Sequence, residues 1–291
     1  MNLRTDLACE AYELHKENIK DGIFQTDFNV SGIDFVKVDV TSDAASKQIG
    51  KPCGSYITAF VSSLLDGNSD LVTAAEAVSN EIKKLLPDNS SPVLVAGLGN
   101  RDITPDALGP KVADRILATR HLSSNSDTAY FRPVCAIAPG VLAQTGIETS
   151  EIISCISSEV SPCAVILIDA LASKSAQRLG NTVQLSDSGI SPGSGVFNSR
   201  KEISASSLGV KVISIGVPTV VDAATLAFDL LNEEERTEQL QSKFKLNGQS
   251  LMITPREIDV ILKRSSELIS LAINKALHPD LDTDEILFLL S

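Results

Sequence analysis

Two aspartates in this chain follow apolar runs of the kind that form buried strands. Asp106 comes after Val93–Gly97 and a glycine-rich turn, and Asp169 comes directly after Ala164–Ile168. In open α/β sheets the functional crevice lies outside the carboxyl ends of the strands. Two carboxylates that meet there can activate water, because one can hold a proton while the other accepts one. The sequence therefore predicts a hydrolase site at Asp106 and Asp169.

Each aspartate also has a structural alternative. Asp106 follows Pro105, so its carboxylate could instead stabilise a helix N-terminus through the helix dipole. Asp169 ends a strand of aliphatic residues, where a carboxylate must find polar partners whatever its function. Asp222, near the start of a later helix, is expected to cap that helix.

Other chemistries fit the sequence less well. Gly97 and Gly99 follow a strand as in a dinucleotide-binding turn, but the third glycine is replaced by Asp102, and no P-loop lysine follows. Three histidines without an HExxH motif disfavour a histidine-rich metal site. No GxSxG elbow is present for a serine hydrolase.

The alternation of strands and helices in the middle of the chain predicts a largely parallel sheet with helices on both faces. The predicted strands are 33–40, 56–61, 93–97, 133–138, 164–169, 181–185 and 211–215. The predicted helices are one within 1–22, then 69–86, 106–119, 148–160 and one near Val220. Residues 232–250 are expected to form a polar surface connection. Thr254–Glu257 has the pattern of a capping box for a final helix.

The composition limits the class of protein. A chain of 291 residues with 43% hydrophobic residues can bury a sizeable core. A net charge of −12 disfavours direct nucleic-acid binding. Five cysteines without a CxxC pair favour a reducing compartment. Because the sequence contains no signal-peptide pattern and no apolar run of about 20 residues, we expect a cytoplasmic protein without a membrane partner.

The loop 186–198 is rich in glycine and polar residues. Its backbone N–H groups could bind an extended peptide or an oxyanion. A loop of this length inside a compact core is more often functional than decorative. The candidate substrate-binding residues in this loop are Ser186, Asp187, Gly193, Ser194, Gly195 and Asn198.

Eight motifs occur in one order along nearly the whole chain. They are Gly97–Asn100, Thr104–Pro110, Thr119–Leu122, Gly146–Ser150, Ile168–Ala172, Ser186–Ile190, Pro192–Gly195 and Ile215–Ala223. Together they closely resemble the germination protease family of endospore-forming bacteria, endopeptidases that degrade small acid-soluble spore proteins.

The resemblance implies a fold and a mode of activation. The fold would be a three-layer α/β sandwich with a twisted, largely parallel sheet, like that of hydrogenase-maturation endopeptidases. Asp106 and Asp169 would be the essential carboxylates. The protein would be a homotetramer in the spore core, made as a zymogen that removes its own N-terminal segment. Arg4–Ala8 matches the family's processing site, so Asp6–Leu7 is the expected cleaved bond.

The expected organisation follows. Residues 1–6 would be a propeptide, and 7–291 a single protease domain. This domain would comprise an N-terminal β-containing region at 7–68, an α/β core at 90–231 and C-terminal helices at 251–291.

Phe197 stands where the family has a glycine, and a positive φ there would strain it. No cofactor is expected, although a divalent metal bridging Asp106 and Asp169 is an open alternative to a metal-free pair. Two further alternatives are an inactive homologue that acts as a binding protein and a maturation protease that clips one partner.

Overall fold

The computed structural model describes residues 5–18, 21–61, 71–122, 131–192, 201–230 and 251–290. Within these ranges the strands are β1 (Ile23–Val30), β2 (Ile33–Val40), β3 (Gly54–Phe60), β4 (Val93–Gly97), β5 (Val134–Ile137), β6 (Ala164–Ser173), β7 (Thr182–Ser186), β8 (Lys211–Asp222) and β9 (Met252–Ile253). They form one sheet in the order β1-β2-β3-β7-β8-β6-β4-β5, and β9 pairs with β8.

The parallel part of the sheet is formed by β8, β6, β4 and β5. β6 is apolar on both faces because both are covered, which is typical of parallel strands. Ile166 and Ile168 belong to the core on one face, and Val165 and Leu167 belong to the core on the other. The predicted α/β sandwich is confirmed.

The helices lie on both faces of the sheet. They are α1 (Ala8–His15), α2 (Asp43–Ile49), α3 (Leu71–Leu85), α4 (Leu108–Ala113), α5 (Leu142–Thr145), α6 (Thr149–Val160), α7 (Ala205–Leu208), α8 (Ala223–Asp229), α9 (Ile258–Leu277) and α10 (Thr283–Leu289). Helices α3, α4 and α9 pack on one face, and α6 packs on the other. In the part of the chain described here, no helix combines the length and apolarity required to cross a bilayer.

An antiparallel extension carries the N-terminal third of the chain. β1, β2, β3 and β7 pair in succession, and β7 then pairs antiparallel with β8. The predicted strands 33–40 and 56–61 correspond to β2 and β3. The sequence did not predict β1, because most of its side chains are exposed on the outer edge and carry little hydrophobic periodicity.

The predicted helix 106–119 is wrong in its length. A 3₁₀ turn covers Thr104–Asp106, and α4 ends at Ala113. The chain can leave the helix there because the buried side chain of Asn274 replaces helical hydrogen bonds. Its Oδ1 accepts from the Leu117 N–H at 3.0 Å, and its Nδ2 donates to the Arg115 carbonyl at 2.9 Å.

The predicted strand 211–215 is too short, and no helix begins at Val220. β8 continues through Pro218 to Asp222. Proline is tolerated there because the pairing with β7 has already ended at Gly216, so no N–H is needed on that side. Asp222 caps α8, as expected, by accepting from the Thr225 N–H at 2.9 Å.

The capping box predicted at Thr254–Glu257 is also wrong. α9 begins at Ile258, and Glu257 makes no side-chain capping bond. The Thr254 hydroxyl donates instead to the Thr219 carbonyl at 2.9 Å, tying the chain to the end of β8. The apolar side chains of α9 are buried in one core with those of the sheet. The connection predicted at 232–250 lies outside the described residues.

The start of α4 lies in direct backbone contact with the sheet. A Cβ added to Gly109 would overlap the backbone of Leu98 and would lie 2.6 Å from the Ile168 carbonyl oxygen. A Cβ on Gly97 would overlap the Gly109 carbonyl in turn. Only glycine allows this approach, which places the turn before α4 beside the ends of β4 and β6.

We therefore expect Gly109→Ala to lower the free energy of unfolding by at least about 3 kcal/mol, because only backbone movement can relieve the overlap. Gly209→Ala is the control, since a Cβ there meets nothing within 4 Å. Its positive φ should cost about 1–2 kcal/mol. Urea unfolding of both variants measures the difference, and equal losses would contradict a close-packing role for Gly109.

Candidate active site

The candidate site lies where β4 ends before its neighbour β6. β4 and β6 pair in parallel as far as Gly97 and Ile168, and the Leu98 N–H makes a last bond to the Ile168 carbonyl at 2.7 Å. β6 then continues to Ser173 without β4. Asp169 is therefore the first residue of β6 beyond its partner. This is the carboxyl-end position that the sequence predicts for it.

Asp106 reaches the same place from the turn that follows β4. Gly99 has φ of +107°, and a Cβ on it would overlap the Asp106 carbonyl oxygen, so the turn folds tightly over itself. The Asn100 N–H donates to Asp106 Oδ2 at 2.7 Å. The turn thus fixes the Asp106 carboxylate, and this carboxylate lies at the end of a 3₁₀ turn rather than inside α4.

Both carboxyl groups have raised pKa values. Asp169 is 6% exposed, and its burial, then the nearby Asp106 and Asp6 carboxylates, raise its pKa well above the usual value. The Ala170 N–H, which donates to Asp169 Oδ1 at 2.9 Å, acts in the opposite direction. Burial also raises the pKa of Asp106, while the Asn100 N–H lowers it. The two groups share one cavity of about 450 Å³.

The N-terminal segment of the chain enters this cavity. The Asp6 N–H donates to the Ala172 carbonyl, and the Ala172 N–H donates to Asp6 Oδ2, each at 2.8 Å. Leu7 is fully buried and packs with Cys9 and Leu171. The two residues of the predicted cleavage site thus lie beside the free edge of β6, three residues beyond Asp169.

The glycine-rich loop contributes only in part to what can be described. Ser186 lines the cavity. The Asp187 carboxylate accepts from the Ser55 N–H at 2.8 Å, at the end of the pairing between β3 and β7. Its assignment to substrate binding stays a prediction. Phe197 and the predicted residues Gly193, Ser194, Gly195 and Asn198 lie outside the described residues.

Sequence reasoning missed two side chains that hold the N-terminal segment. The Lys51 ammonium donates to the Thr5 carbonyl at 2.9 Å. Burial lowers the pKa of Lys51, and the neighbouring Asp6 carboxylate raises it. Gln184, in β7, makes two bonds to residues 6 and 8. A lone amide in the apolar strand Thr182–Ser186 was the only sequence signal, and nothing in the sequence distinguished Lys51.

A protein metal centre commonly has three or more protein ligands. Among the residues that the structure describes, no group of three or more His, Cys, Asp or Glu side chains could hold a metal ion. The described residues therefore do not fit a centre with three protein ligands.

Comparison with known proteins gives the family. The sequence model of the germination protease family matches residues 4–232. A germination protease of Caldanaerobacter subterraneus subsp. tengcongensis is 41% identical over 98% of this chain and 97% of its own length. That of Clostridium acetobutylicum is 38% identical over 98% of both chains. That of a Geobacillus strain is 35% identical over 97% of this chain and 95% of its own.

The chain therefore belongs to the germination protease family, and it is a hydrolase of peptide bonds. Among solved structures, a [NiFe] hydrogenase maturation protease, HycI from Thermococcus kodakarensis KOD1, aligns with a TM-score of 0.39 and 18% identity. The alignment covers 68% of this chain and 98% of that chain.

The raised pKa of Asp169 predicts how stability depends on pH. The folded chain holds this proton over a pH range in which the unfolded chain has lost it, so burial of Asp169 destabilises the fold progressively as pH rises above about 4. Asp169→Asn removes this effect. We expect the variant to gain stability relative to wild type as pH rises, by at most about 1.4 kcal/mol per pH unit.

Asp114→Asn is the control of opposite sign. Asp114 pairs with Arg101, whose hydrogen bond lowers the pKa of Asp114, so this carboxylate stabilises the fold above about pH 4. The pair is half exposed, so we expect only a small loss in this variant at higher pH. Urea unfolding from pH 4 to pH 8 checks both signs. A constant difference between Asp169→Asn and wild type would contradict the prediction.

Proposed function

We propose that this protein is an endopeptidase that initiates the degradation of small acid-soluble spore proteins during germination, with water activated by Asp106 and Asp169. The observation that carries the mechanism is that both carboxyl groups lie desolvated in one cavity where β4 ends beside β6. Family membership supports the substrate class. Location in the spore core and assembly as a homotetramer are proposed on the same basis.

The two aspartates differ in a way that assigns their roles. Each carboxylate accepts one backbone N–H, Asp106 from Asn100 and Asp169 from Ala170, so burial and neighbouring charges distinguish the two. Asp169 is more deeply buried and faces the Asp106 and Asp6 carboxylates, which favours its protonated form. Asp106 is therefore the base of the pair and Asp169 the acid.

In the proposed reaction Asp106 accepts a proton from a water molecule as the water oxygen bonds to the carbonyl carbon of the substrate. Asp169 donates its proton to the nitrogen as the carbon–nitrogen bond breaks. The products are a carboxylic acid and an amine. The proton that Asp106 took from water then passes to Asp169, so the pair is restored. Proton transfers of this kind contribute about 10²–10⁴-fold to a rate.

The N-terminal segment gives a physical basis for a zymogen. Asp6 lines the cavity that a substrate would need, and its backbone bonds to the β6 edge beside that cavity. The chain would be its own first substrate, with cleavage at Asp6–Leu7 removing Met1–Asp6. The rest, 7–291, would remain as a single protease domain.

Asp106→Asn and Asp169→Asn test the pair. Each should lower cleavage of a small acid-soluble spore protein at least about 100-fold, since each removes one proton-transfer group. Asp114→Asn, an exposed carboxylate on α4's C-terminal side, should keep wild-type activity. Mass spectrometry reads the substrate and the protein's own N-terminus together. Activity retained in either site variant would overturn the assigned pair.

The same assay separates the alternatives. Wild-type protein that cleaves neither a spore protein nor its own N-terminus, from pH 4 to pH 8, would favour an inactive homologue that binds a partner. Cleavage of a hydrogenase precursor, with the spore protein left intact, would favour a maturation protease.

Chelation tests the metal-free mechanism. Because the pair transfers protons without a Lewis acid, we expect activity to survive exhaustive dialysis against EDTA followed by metal-free buffer. The measurement is the initial rate of spore-protein cleavage before and after dialysis. Loss of activity, with recovery on adding back one particular divalent metal, would contradict the mechanism.

A further inference from the structure

Thr5–Ala8 runs beside the cavity, which Asp6 lines, and its backbone is held as that of a bound peptide would be. The Thr5 carbonyl accepts from Lys51, and the Asp6 N–H donates to Ala172. The Leu7 N–H donates to the Thr5 hydroxyl at 3.0 Å. Leu7 itself is extended, with φ of −78° and ψ of 125°. These contacts fix the position of the peptide bond that joins Asp6 to Leu7.

Gln184 contacts the peptide units on both sides of Leu7. Its Nε2 donates to the Asp6 carbonyl oxygen at 3.1 Å, and its Oε1 accepts from the Ala8 N–H at 2.7 Å. The Asp6 carbonyl is the carbonyl of the bond that the proposed function has the chain cleave. Gln184 is 7% exposed, so its amide acts with little competition from water.

We propose that Gln184 is a catalytic residue whose side-chain amide stabilises the oxyanion formed on the carbonyl of the cleaved bond. This inference rests on the proposed function and adds a group to its reaction. An acid pair supplies a base and an acid, but an ionised carboxylate cannot donate to a developing oxyanion. An uncharged amide donor fixed on β7 can do so without reorganisation.

Hydrolysis of the Asp6–Leu7 bond needs no reactant other than water. The water oxygen bonds to the Asp6 carbonyl carbon, and the carbonyl electron pair moves to its oxygen, which the Gln184 N–H stabilises. When the tetrahedral species collapses, the bond to the Leu7 nitrogen breaks and that nitrogen takes a proton. Asp6 is left with a carboxyl group and Leu7 with an amine.

A purely structural role for Gln184 predicts something different. In that case the contact between Gln184 and the Ala8 N–H would only hold the start of α1 in place. Loss of the side chain would then loosen the N-terminal segment and expose Cys9, which is 2% exposed and packs against Leu7 and Leu171. Labelling of Cys9 by a small thiol reagent therefore reports whether the segment is still in place.

The experiment follows self-cleavage of the full chain at Asp6–Leu7, which needs no added substrate. We expect Gln184→Met to slow it at least about 100-fold, in line with the loss of one oxyanion donor, while Cys9 labelling stays at the wild-type level. Gln184→Glu keeps the acceptor for the Ala8 N–H. In this variant the N-terminal segment should stay in place and self-cleavage should be slow, even if the Met variant folds poorly. Gln177→Met, on the exposed turn after β6, should behave as wild type.

The outcomes separate this inference from the proposed function. Slow cleavage with Cys9 still protected supports the catalytic role. Wild-type rates in the Gln184 variants, or slow cleavage with Cys9 exposed in both, overturn it while leaving the acid pair intact. A wild-type chain that cleaves no bond overturns both. Cleavage of a spore protein with the N-terminus left intact overturns only the assignment of Asp6–Leu7 and, with it, the role of Gln184.

Discussion

The site depends on the early end of β4 beside a neighbour that continues. Because β6 extends five residues beyond Ile168, from Asp169 to Ser173, its backbone there has no partner from β4. That unpaired edge is available to another extended segment, and the Asp6 backbone bonds to it at Ala172. One topological feature thus creates both the gap in which Asp106 and Asp169 lie and the edge to which the Asp6 backbone bonds. The glycines at 97 and 109 maintain the gap by allowing α4 to begin against the sheet.

Electrostatics at the site follow from the same geometry. Asp169 sits among aliphatic strands, so its charge is poorly solvated, and the carboxylates of Asp106 and Asp6 make ionisation still less favourable. On the side of the N-terminal segment, burial lowers the pKa of Lys51 and the Asp6 carboxylate acts in the opposite direction. A third carboxylate therefore enters the cavity together with the segment that carries it. Removal of that segment would leave only the pair, and protonation of Asp169 would then depend on Asp106 and burial alone.

The sequence located the carboxylates because Asp169 directly follows one apolar run and Asp106 lies in the turn after another. To predict the positions of Asp106 and Asp169, it was enough to recognise the apolar runs before them and to apply the rule that crevices lie at the carboxyl ends of strands. Gln184 and Lys51 could not be placed in this way, because their contacts join residues far apart in sequence through antiparallel pairing that periodicity does not reveal. The predicted length of α4 was wrong for the same reason, because the end of α4 depends on Asn274 in α9, which is distant in sequence. The predicted capping box of α9 was wrong because the Thr254 hydroxyl bonds to the Thr219 carbonyl in β8 rather than to its own helix.

In the proposed self-cleavage, the position of Leu7 would let one chain serve as both enzyme and substrate. A bound substrate normally has to order its backbone on arrival, which costs entropy. Here that cost is met during folding, because Leu7 packs in the core and Ala8 begins α1. The Asp6 backbone is therefore held at Ala172, three residues beyond Asp169, in the folded chain. Cleavage there would leave Leu7 and the helix behind it in their packed positions, and only the residues that block the cavity would be free to depart.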